Sequence, residues 1–496
     1  ISGILIADLT LLWLVIKQKW LVIIPENYQR FPVRYPKALG LLCLPLLSFI
    51  LVKNTTVELT GNRYNNELAK NGIHSLFSAF LNNELDYETF YALQDNEKNF
   101  RQLKEMLKTP NSTYLKEEPF DITRKINNEG EEKQYNVVFI TIESLSAEFM
   151  KFKGGPKSGV TPYLDAIADS SLFFTNLYAI GTRTIYGLEA ATMSAPPKPG
   201  QSVIKRPNNE NMFSVGYIFK ERGYNLKYIY GGYGYFDNMN YFFSNNGYEI
   251  VDRNDFKKEE ITFANTWGVC DQDLFNRALK ECDESFATGK PFMNHIMTTS
   301  NHRPFTYPDG VIDIPSHTSR AGGVKYCDFS VGEFIQKASK KPWFNNTIFV
   351  ILADHCAGSA GQTELPFMEY QIPFIIYNPA LVRPQQVSKL CSQIDVAPTL
   401  LGVMNWTYES KFFGKDILKM TPEEERAFIS NYQKLGYIKN NTLTILSPQQ
   451  KVTHYQINTE NGKVKMAEPN PDIQSETIIY YQSANYVYKN KLNKWE

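Results

Sequence analysis

Continuous apolar runs, not alternating ones, mark the middle of this chain. Val137-Val-Phe-Ile-Thr-Ile142 and Thr347-Ile-Phe-Val-Ile-Leu-Ala353 are unbroken and β-branched, the pattern of central strands buried on both faces of a parallel sheet. Ser171–Tyr178, Leu226–Tyr230 and Phe292–Met297 read as further strands. Leu188–Met193 is a small-residue segment that predicts the first turns of a helix, with Thr184 at the loop-to-helix junction before it. Beyond Gly414 the pattern becomes hairpin-like at Thr442–Leu446 and Lys451–Ile457, then an aromatic-rich helix is predicted over Glu476–Tyr488.

The start of the chain is different in kind. Apolar residues crowd Ile4 to Ile16, and a second run covers Ala38 to Val52; the loop between them carries Lys17, Lys19, Arg30, Arg34 and Lys37 against one acid, Glu26. Two such runs around a basic loop predict membrane spans with that loop on the cytoplasmic side and everything after Val52 exported. The sequence reads as a fragment that starts inside a span. From Thr55 to about Gln134 it turns polar and helix-like, with Leu68, Leu76, Phe77, Phe80 and Leu81 at helical intervals. The expected organisation is a transmembrane region over 1–53, a bridging segment over 54–134, a catalytic α/β domain over 135–420 and a C-terminal β subdomain with a helix over 421–496.

With 52 basic and 52 acidic residues the formal net charge is zero, so no global field attracts nucleic acid, and that class of partner is set aside. The 6 cysteines form no C-x-x-C pair, so neither a zinc site nor a disulfide framework is implied.

Candidate chemistry collects at the predicted strand ends, where open α/β sheets place ligands. Glu143 follows one continuous run, and Asp354 and His355 follow the other. With the Thr184 oxygen they form an O/N set suited to one divalent ion such as Mn²⁺, Mg²⁺, Ca²⁺ or Zn²⁺. A metal touching the Thr184 hydroxyl supplies the activation that a threonine nucleophile lacks. Arg183 and the free N–H groups of a helix start favour an anionic centre at the same place. Each residue also has a plainer reading: Thr184 as a helix cap, Glu143 as the cap of a helix begun by Ser144. Asp395, before an Ala-Pro helix start, reads as an N-cap, and His295 within a strand reads as structural.

Taken together, Ile142-Glu-Ser-Leu145, Gly181-Thr-Arg-Thr184, Thr299-Ser-Asn-His-Arg-Pro-Phe305, Ala353-Asp-His355 and Ser392-Gln-Ile-Asp-Val-Ala-Pro-Thr-Leu400 resemble the alkaline-phosphatase-like sulfatase superfamily, and within it the lipoteichoic acid synthase and phosphoglycerol transferase branch. The C/S-x-P-S-R string of sulfatases proper does not occur. The resemblance implies a three-layer α/β sandwich with a mainly parallel central sheet, a small C-terminal antiparallel subdomain and N-terminal transmembrane helices. It implies one metal, Mn²⁺ or Mg²⁺, held by Glu143, Thr184, Asp354 and His355, and a covalent phosphoglycerol intermediate on Thr184, with Arg183 beside it.

By the same resemblance His302 contacts the substrate or protonates the leaving oxygen. Phe236, Asp237 and Asn238 are candidates for the head group, although Gly232 and Gly234 stand where branch members often carry charged side chains. Trp267 to Asp273 matches a stretch expected to start a helix near the site. The implied partners are a membrane lipid donor and a polyol or glycan acceptor of the cell envelope, with the catalytic domain on the exported face of the plasma membrane. Other transferases or hydrolases of the same fold, acting on phosphoethanolamine, phosphodiester or sulfate groups, remain open, as does a non-catalytic binding module.

Overall fold

The computed structural model describes residues 63–73, 75, 85–361, 363–459 and 461–495, with isolated positions before residue 44. The two N-terminal apolar runs lie almost wholly outside these residues. Among the described residues no helix is long and apolar enough to cross a membrane. The chain divides into two units, one formed by 1–61 and 65–81, the other by 62–64 and 82–496. The described part of the first is chiefly residues 65–69 of the helix Arg63–Ala69.

In the second unit the strands follow in chain order. β1 (Ser112–Tyr114) and β2 (Arg124–Ile126) come first; then β3 (Asn136–Ile142), β4 (Leu172–Tyr178), β5 (Asn225–Tyr230), β6 (Glu249–Val251), β7 (Phe292–Met297), β8 (Thr347–Ala353), β9 (Gln371–Tyr377), β10 (Gln385–Val387) and β11 (Cys391–Ser392). These last nine form one sheet in the order β10-β4-β9-β8-β3-β7-β5-β6, with β11 also on β4. β3 is parallel to both β7 and β8, and β5 to β7 and β6. β9 runs against its neighbours β8 and β4, so the sheet is mainly parallel, as expected, and mixed by one reversed strand.

The apolar runs explain the centre of this sheet. Every residue of β3, β7 and β8 is buried, because helices cover both faces. Pro162–Asp169, Asp271–Ala287 and Arg320–Ala338 pack on one another as one layer, and Thr184–Met193, Val215–Glu221 and Val396–Val403 as another. After β12 (Tyr408–Ser410), which joins β1 and β2 in a small sheet, β13 (Ala427–Ser430), β14 (Leu435–Lys439), β15 (Thr442–Ser447), β16 (Lys451–Ile457) and β17 (Val464–Met466) make a five-stranded antiparallel sheet. The predicted aromatic helix spans Pro471–Lys489 and packs on β14 and β15. The segment 54–134, read as bridging, supplies the helix Asn96–Leu107, which packs on Pro471–Lys489 with Phe100 edge-on to Tyr486.

Two local expectations are corrected. No helix begins at Ser144; a 3₁₀ turn over Ala147–Phe149 follows instead. Asp395 does not cap the Val396–Val403 helix with its side chain. Its carboxylate, fully buried, receives two bonds of 2.8 Å from Arg426, and the Ser392 and Lys415 N–H groups. It is structural, as expected, but as half of a buried ion pair that joins the C-terminal subdomain to the main sheet.

His295, on β7, is fully buried with Nε2 2.8 Å from Thr141 Oγ1 and its ring against Phe139. Burial without an acidic partner pushes its pKa down to about 3. The unfolded chain, with an ordinary value near 6.5, therefore takes up the proton first. Stability is expected to fall as pH drops from about 6.5, by up to ~1.4 kcal/mol per pH unit. Urea midpoints measured from pH 7 to 4 should show this slope, and His295→Phe should flatten it; an unchanged slope in the variant would refute the assignment.

Candidate active site

The register of β3 against β8 pairs Ile142 with Ala353. The next residue on each strand, Glu143 and Asp354, therefore emerges on adjacent parallel strands at the carboxyl edge. One ligand atom from each of Glu143, Asp354 and His355 lies within 4.8 Å of the others. At an effective dielectric of about 20, two carboxylates at that separation repel by about 3–4 kcal/mol. Glu143 and Asp354 are 5% and 0% exposed, so water does little to relieve this.

The protein's own response shows what the cluster lacks. Burial, reinforced by the charge of Glu143, pushes Asp354 up to about 7. Burial opposes a charge on His355, yet the nearby carboxylates outweigh it and raise the imidazole to about 10. Protons are held where a cation belongs.

Local bonding orients each ligand atom. Asp354 Oδ1 accepts the N–H groups of Ser144 (2.8 Å) and His355 (2.6 Å), while the buried Oδ2 has no hydrogen-bond partner. His355 Nδ1 donates to the Cys356 carbonyl at 2.7 Å, which leaves Nε2 facing Glu143 Oε1 at 3.7 Å and Asp354 Oδ2 at 3.5 Å. Glu143 Oε1 accepts from Ser144 Oγ at 2.5 Å, and Oε2 accepts from Thr184 Oγ1 at 3.2 Å. An orphaned carboxylate oxygen, a second carboxylate and an imidazole nitrogen whose hydrogen-bond contact is a long one, 3.4 Å to Ser144 Oγ, fit a hard or borderline divalent ion.

Thr184 reaches the cluster because its helix starts earlier than the sequence pattern indicates. The helix spans Thr184–Met193, with Arg183 as N-cap residue and no side-chain cap bond. Thr184 is thus the first helical residue, and its hydroxyl turns to Glu143 instead of capping. Gly187, on the same helix, permits the approach: a Cβ there would meet the Asp354 carbonyl oxygen at 2.0 Å. Arg183 is exposed, on the side of Tyr186 and Tyr432.

His302 lies close enough for its charge to act on Glu143. Its Nδ1 donates to the Arg303 carbonyl at 2.9 Å, and its ring rests on Trp267, centroid to centroid 3.6 Å. Trp267 precedes the helix Asp271–Ala287, as expected, and meets Phe236 edge-on at 5.7 Å. Asp271 fixes the loop before His302 by accepting from the Thr299 and Ser300 N–H groups, each at 3.0 Å. Asp237 and Asn238 direct their polar groups elsewhere: Asp237 pairs with Lys205 at 2.9 Å, and Asn238 Nδ2 donates to the Ile204 carbonyl at 2.7 Å.

Three residues escaped the sequence reading although they stand inside the quoted motifs. Ser144 sits in the left-handed region, φ 51°, a conformation that costs about 1–3 kcal/mol and persists only where bonding enforces it. Here both its N–H and its hydroxyl bind the two carboxylates. Gln393 Nε2 donates to the Ala353 and Asp354 carbonyls at 2.8 and 2.7 Å, and Asn301 Nδ2 to the Glu143 carbonyl at 2.8 Å. Their position in the motifs was visible; the backbone atoms they hold were not.

The sequence profile of the sulfatase family matches residues 135–406, more than half of the chain. The chain belongs to the sulfatase family. This sulfatase-family chain also matches a solved protein of the alkaline phosphatase superfamily from Vibrio parahaemolyticus, at 31% identity and a TM-score of 0.77, covering 83% of this chain and 100% of that one. The lipoteichoic acid synthase LtaP from Listeria monocytogenes shares the fold at 18% identity, with a TM-score of 0.63 over 80% of this chain and 98% of LtaP.

Among curated proteins, phosphoglycerol transferase I of Xanthomonas euvesicatoria pv. vesicatoria is 24% identical over 58% of this chain and 43% of its own length. Lipoteichoic acid synthase 2 of Bacillus subtilis is 25% identical over 60% of this chain and 49% of its own. The chain spans less than half the length of these curated relatives.

Calorimetric titration with Mn²⁺ tests the cluster. Asp354→Asn and His355→Gln are expected to abolish measurable binding, whereas Asp237→Ala should leave it unchanged. Gly187→Ala, which removes no ligand but pushes on the Asp354 backbone, should weaken binding by about tenfold or more, as changes behind a metal ligand do. Equal affinity in Asp354→Asn and the parent protein would rule the cluster out.

Proposed function

We propose that the chain is a phosphoglycerol transferase that moves glycerol phosphate from a membrane lipid, phosphatidylglycerol, to a polyol or glycan acceptor of the cell envelope through a covalent adduct on Thr184. The observation that carries the reading is the Thr184 hydroxyl, set on the first turn of a helix and donating into a buried dicarboxylate and histidine cluster. The names of the relatives supply the transferred group. The two apolar runs around a basic loop in the first 53 residues support a membrane-attached protein with its site on the exported side.

In this reading Glu143, Asp354, His355 and the Thr184 oxygen hold one divalent metal, Mn²⁺ or Mg²⁺. When bound, it supplies positive charge to the phosphoryl oxygens and lowers the pKa of the threonine hydroxyl. Thr184 Oγ1 gives its proton to Glu143 Oε2, its hydrogen-bond acceptor, and forms a bond to phosphorus as the bond from phosphorus to the diacylglycerol oxygen breaks; the acceptor alcohol later forms the new bond as the one to Thr184 Oγ1 breaks and Glu143 returns the proton. Glu143 Oε2 receives the Thr184 hydrogen bond and points the oxygen lone pairs outward. The first-turn N–H groups face the same anionic phosphoryl. His302, with Nδ1 committed to a carbonyl, offers Nε2 as the position that gives a proton to the departing alcohol and takes one from the entering alcohol.

Incubation with phosphatidylglycerol followed by mass spectrometry of the Thr184 peptide should reveal a glycerophosphoryl adduct. Thr184→Ala should lose both the adduct and turnover while keeping the parent melting temperature, since this hydroxyl is not a cap; Thr184→Ser should retain some activity. Turnover of the Ala variant at the parent rate would move the nucleophile to Thr182 or to water, and an adduct formed from phosphatidylethanolamine instead would change the transferred group.

The role of His302 is separable. In single-turnover experiments His302→Ala should slow both formation and breakdown of the adduct, each by about 10²–10⁴. A donor with an activated leaving group should restore the first step alone. A first step that stays slow with that donor would show that the histidine does not act as the acid.

A further inference from the structure

A second concavity, with both polar and apolar walls, lies at the other end of the sheet. Residues of β2, β12 and the segment Lys415–Glu424 enclose a cleft of about 1010 Å³. The chain from Ile126 to Glu129 on its wall leads to the amino end of β3, and Asn405, also on the wall, donates to the Glu129 and Glu131 carbonyls at 2.9 and 3.1 Å. Glu143 stands beyond the opposite end of that seven-residue strand, about 20 Å away at a strand rise of ~3.3 Å per residue.

Arg124 lines this cleft and is 2% exposed. Three buried cations meet here, and two have their carboxylate: Lys415 pairs with Glu424 at 2.5 Å and Arg426 with Asp395 at 2.8 Å. Among the described residues no carboxylate lies within ion-pair distance of Arg124. Its Nη2 donates to the Phe412 carbonyl at 2.9 Å, whereas Nε and Nη1 are buried without a partner. Burial lowers the pKa of its guanidinium, the Tyr114, Tyr408 and Tyr480 side chains act in the opposite sense, and its charge repels Lys415. The other carboxylates of the cleft do not reach it: Asp416 is held by the Leu418 N–H at 3.1 Å and faces Lys419 at 3.8 Å, and Glu129 is exposed on the rim.

A desolvated guanidinium with two free donors is costly unless an acceptor, preferably anionic, completes it. Around it the wall carries the Thr113 hydroxyl and the Asn127 amide, side chains suited to a hydroxylated molecule, while Asn111 Nδ2 donates to Asn128 Oδ1 at 2.9 Å and so holds the wall together. We propose that this cleft binds the phosphate ester of a polyol or sugar, with Arg124 on the phosphate and Thr113 and Asn127 on the hydroxyls. The site is separate from the metal cluster and does not depend on the transferase reading.

Calorimetry on the full chain tests it with three anionic probes, inorganic phosphate, glycerol 1-phosphate and glucose 6-phosphate, and two neutral controls, glycerol and glucose. Saturable binding is expected for the phosphate esters, weaker binding for inorganic phosphate and none for the controls. Asp354→Asn should bind as the parent does. Arg124→Met should bind about tenfold to a hundredfold more weakly, the worth of a charge-assisted bond. Asn127→Trp, an exposed residue on the wall, fills the cleft without touching the core and should act likewise if Arg124→Met does not fold.

Binding lost in Asp354→Asn but kept in Asn127→Trp would place the ligand in the metal cluster and overturn the proposal. Equal affinity for inorganic phosphate and both esters would overturn its polyol part, and a soaked crystal with only ordered water on Nε and Nη1 would overturn it altogether.

Discussion

The structure is organised by the repulsion between two carboxylates. Parallel pairing of β3 and β8 in the register Ile142 to Ala353 leaves Glu143 and Asp354 on neighbouring strand ends, both removed from water. Such an arrangement is unfavourable by several kcal/mol unless positive charge and hydrogen bonds offset it. Most of the polar bonding at this edge does that. Ser144, Asn301, Gln393 and the His355 N–H all bind the two acids or their backbone. Rigid strands and dense bonding keep the acids from moving apart, and so keep the demand for a cation in place. The site is a stored electrostatic deficit, and metal-assisted chemistry at phosphorus is one use for it.

Much of this was legible in the sequence because it depends on short-range pattern. Continuous β-branched runs announce strands buried on both faces, and an acid directly after such a run has one place to go. Glu143, Asp354, His355 and the strand end before His302 followed from that reasoning. The helix start did not. Ile185 and Gly187 are poor helix formers, and the pattern put the first turns at Leu188; packing against the Asp354 carbonyl, which requires Gly187, overrides propensity.

Long-range pairing was the other blind spot. Asp395 looks like an N-cap locally, and only Arg426, 31 residues on, reveals its role. Asp237 and Asn238 looked free for a ligand because Lys205 and the Ile204 carbonyl, which engage them, are more than 30 residues away. Arg124 carried no motif at all. Its interest lies in a missing partner, and the absence of a pairing is not written in any local stretch.

The reversed strand β9 has a further consequence. It separates β4 from β8, so the loop after β4 must cross the start of β9 to bring Thr184 over Asp354, a lateral distance of two strand spacings or about 10 Å. The Ala179 N–H, bonded to the Tyr370 carbonyl at 2.8 Å, marks that crossing. The acid and histidine cluster and the hydroxyl therefore stand on separate mounts. Glu143, Asp354 and His355 are fixed to neighbouring strands of the sheet, while Thr184 arrives on a helix that leans in from the side. The two mounts meet at Gly187, where the helix lies directly on the Asp354 carbonyl, so a displacement of either is passed to the other and the hydroxyl keeps its place over the acids only while that contact holds.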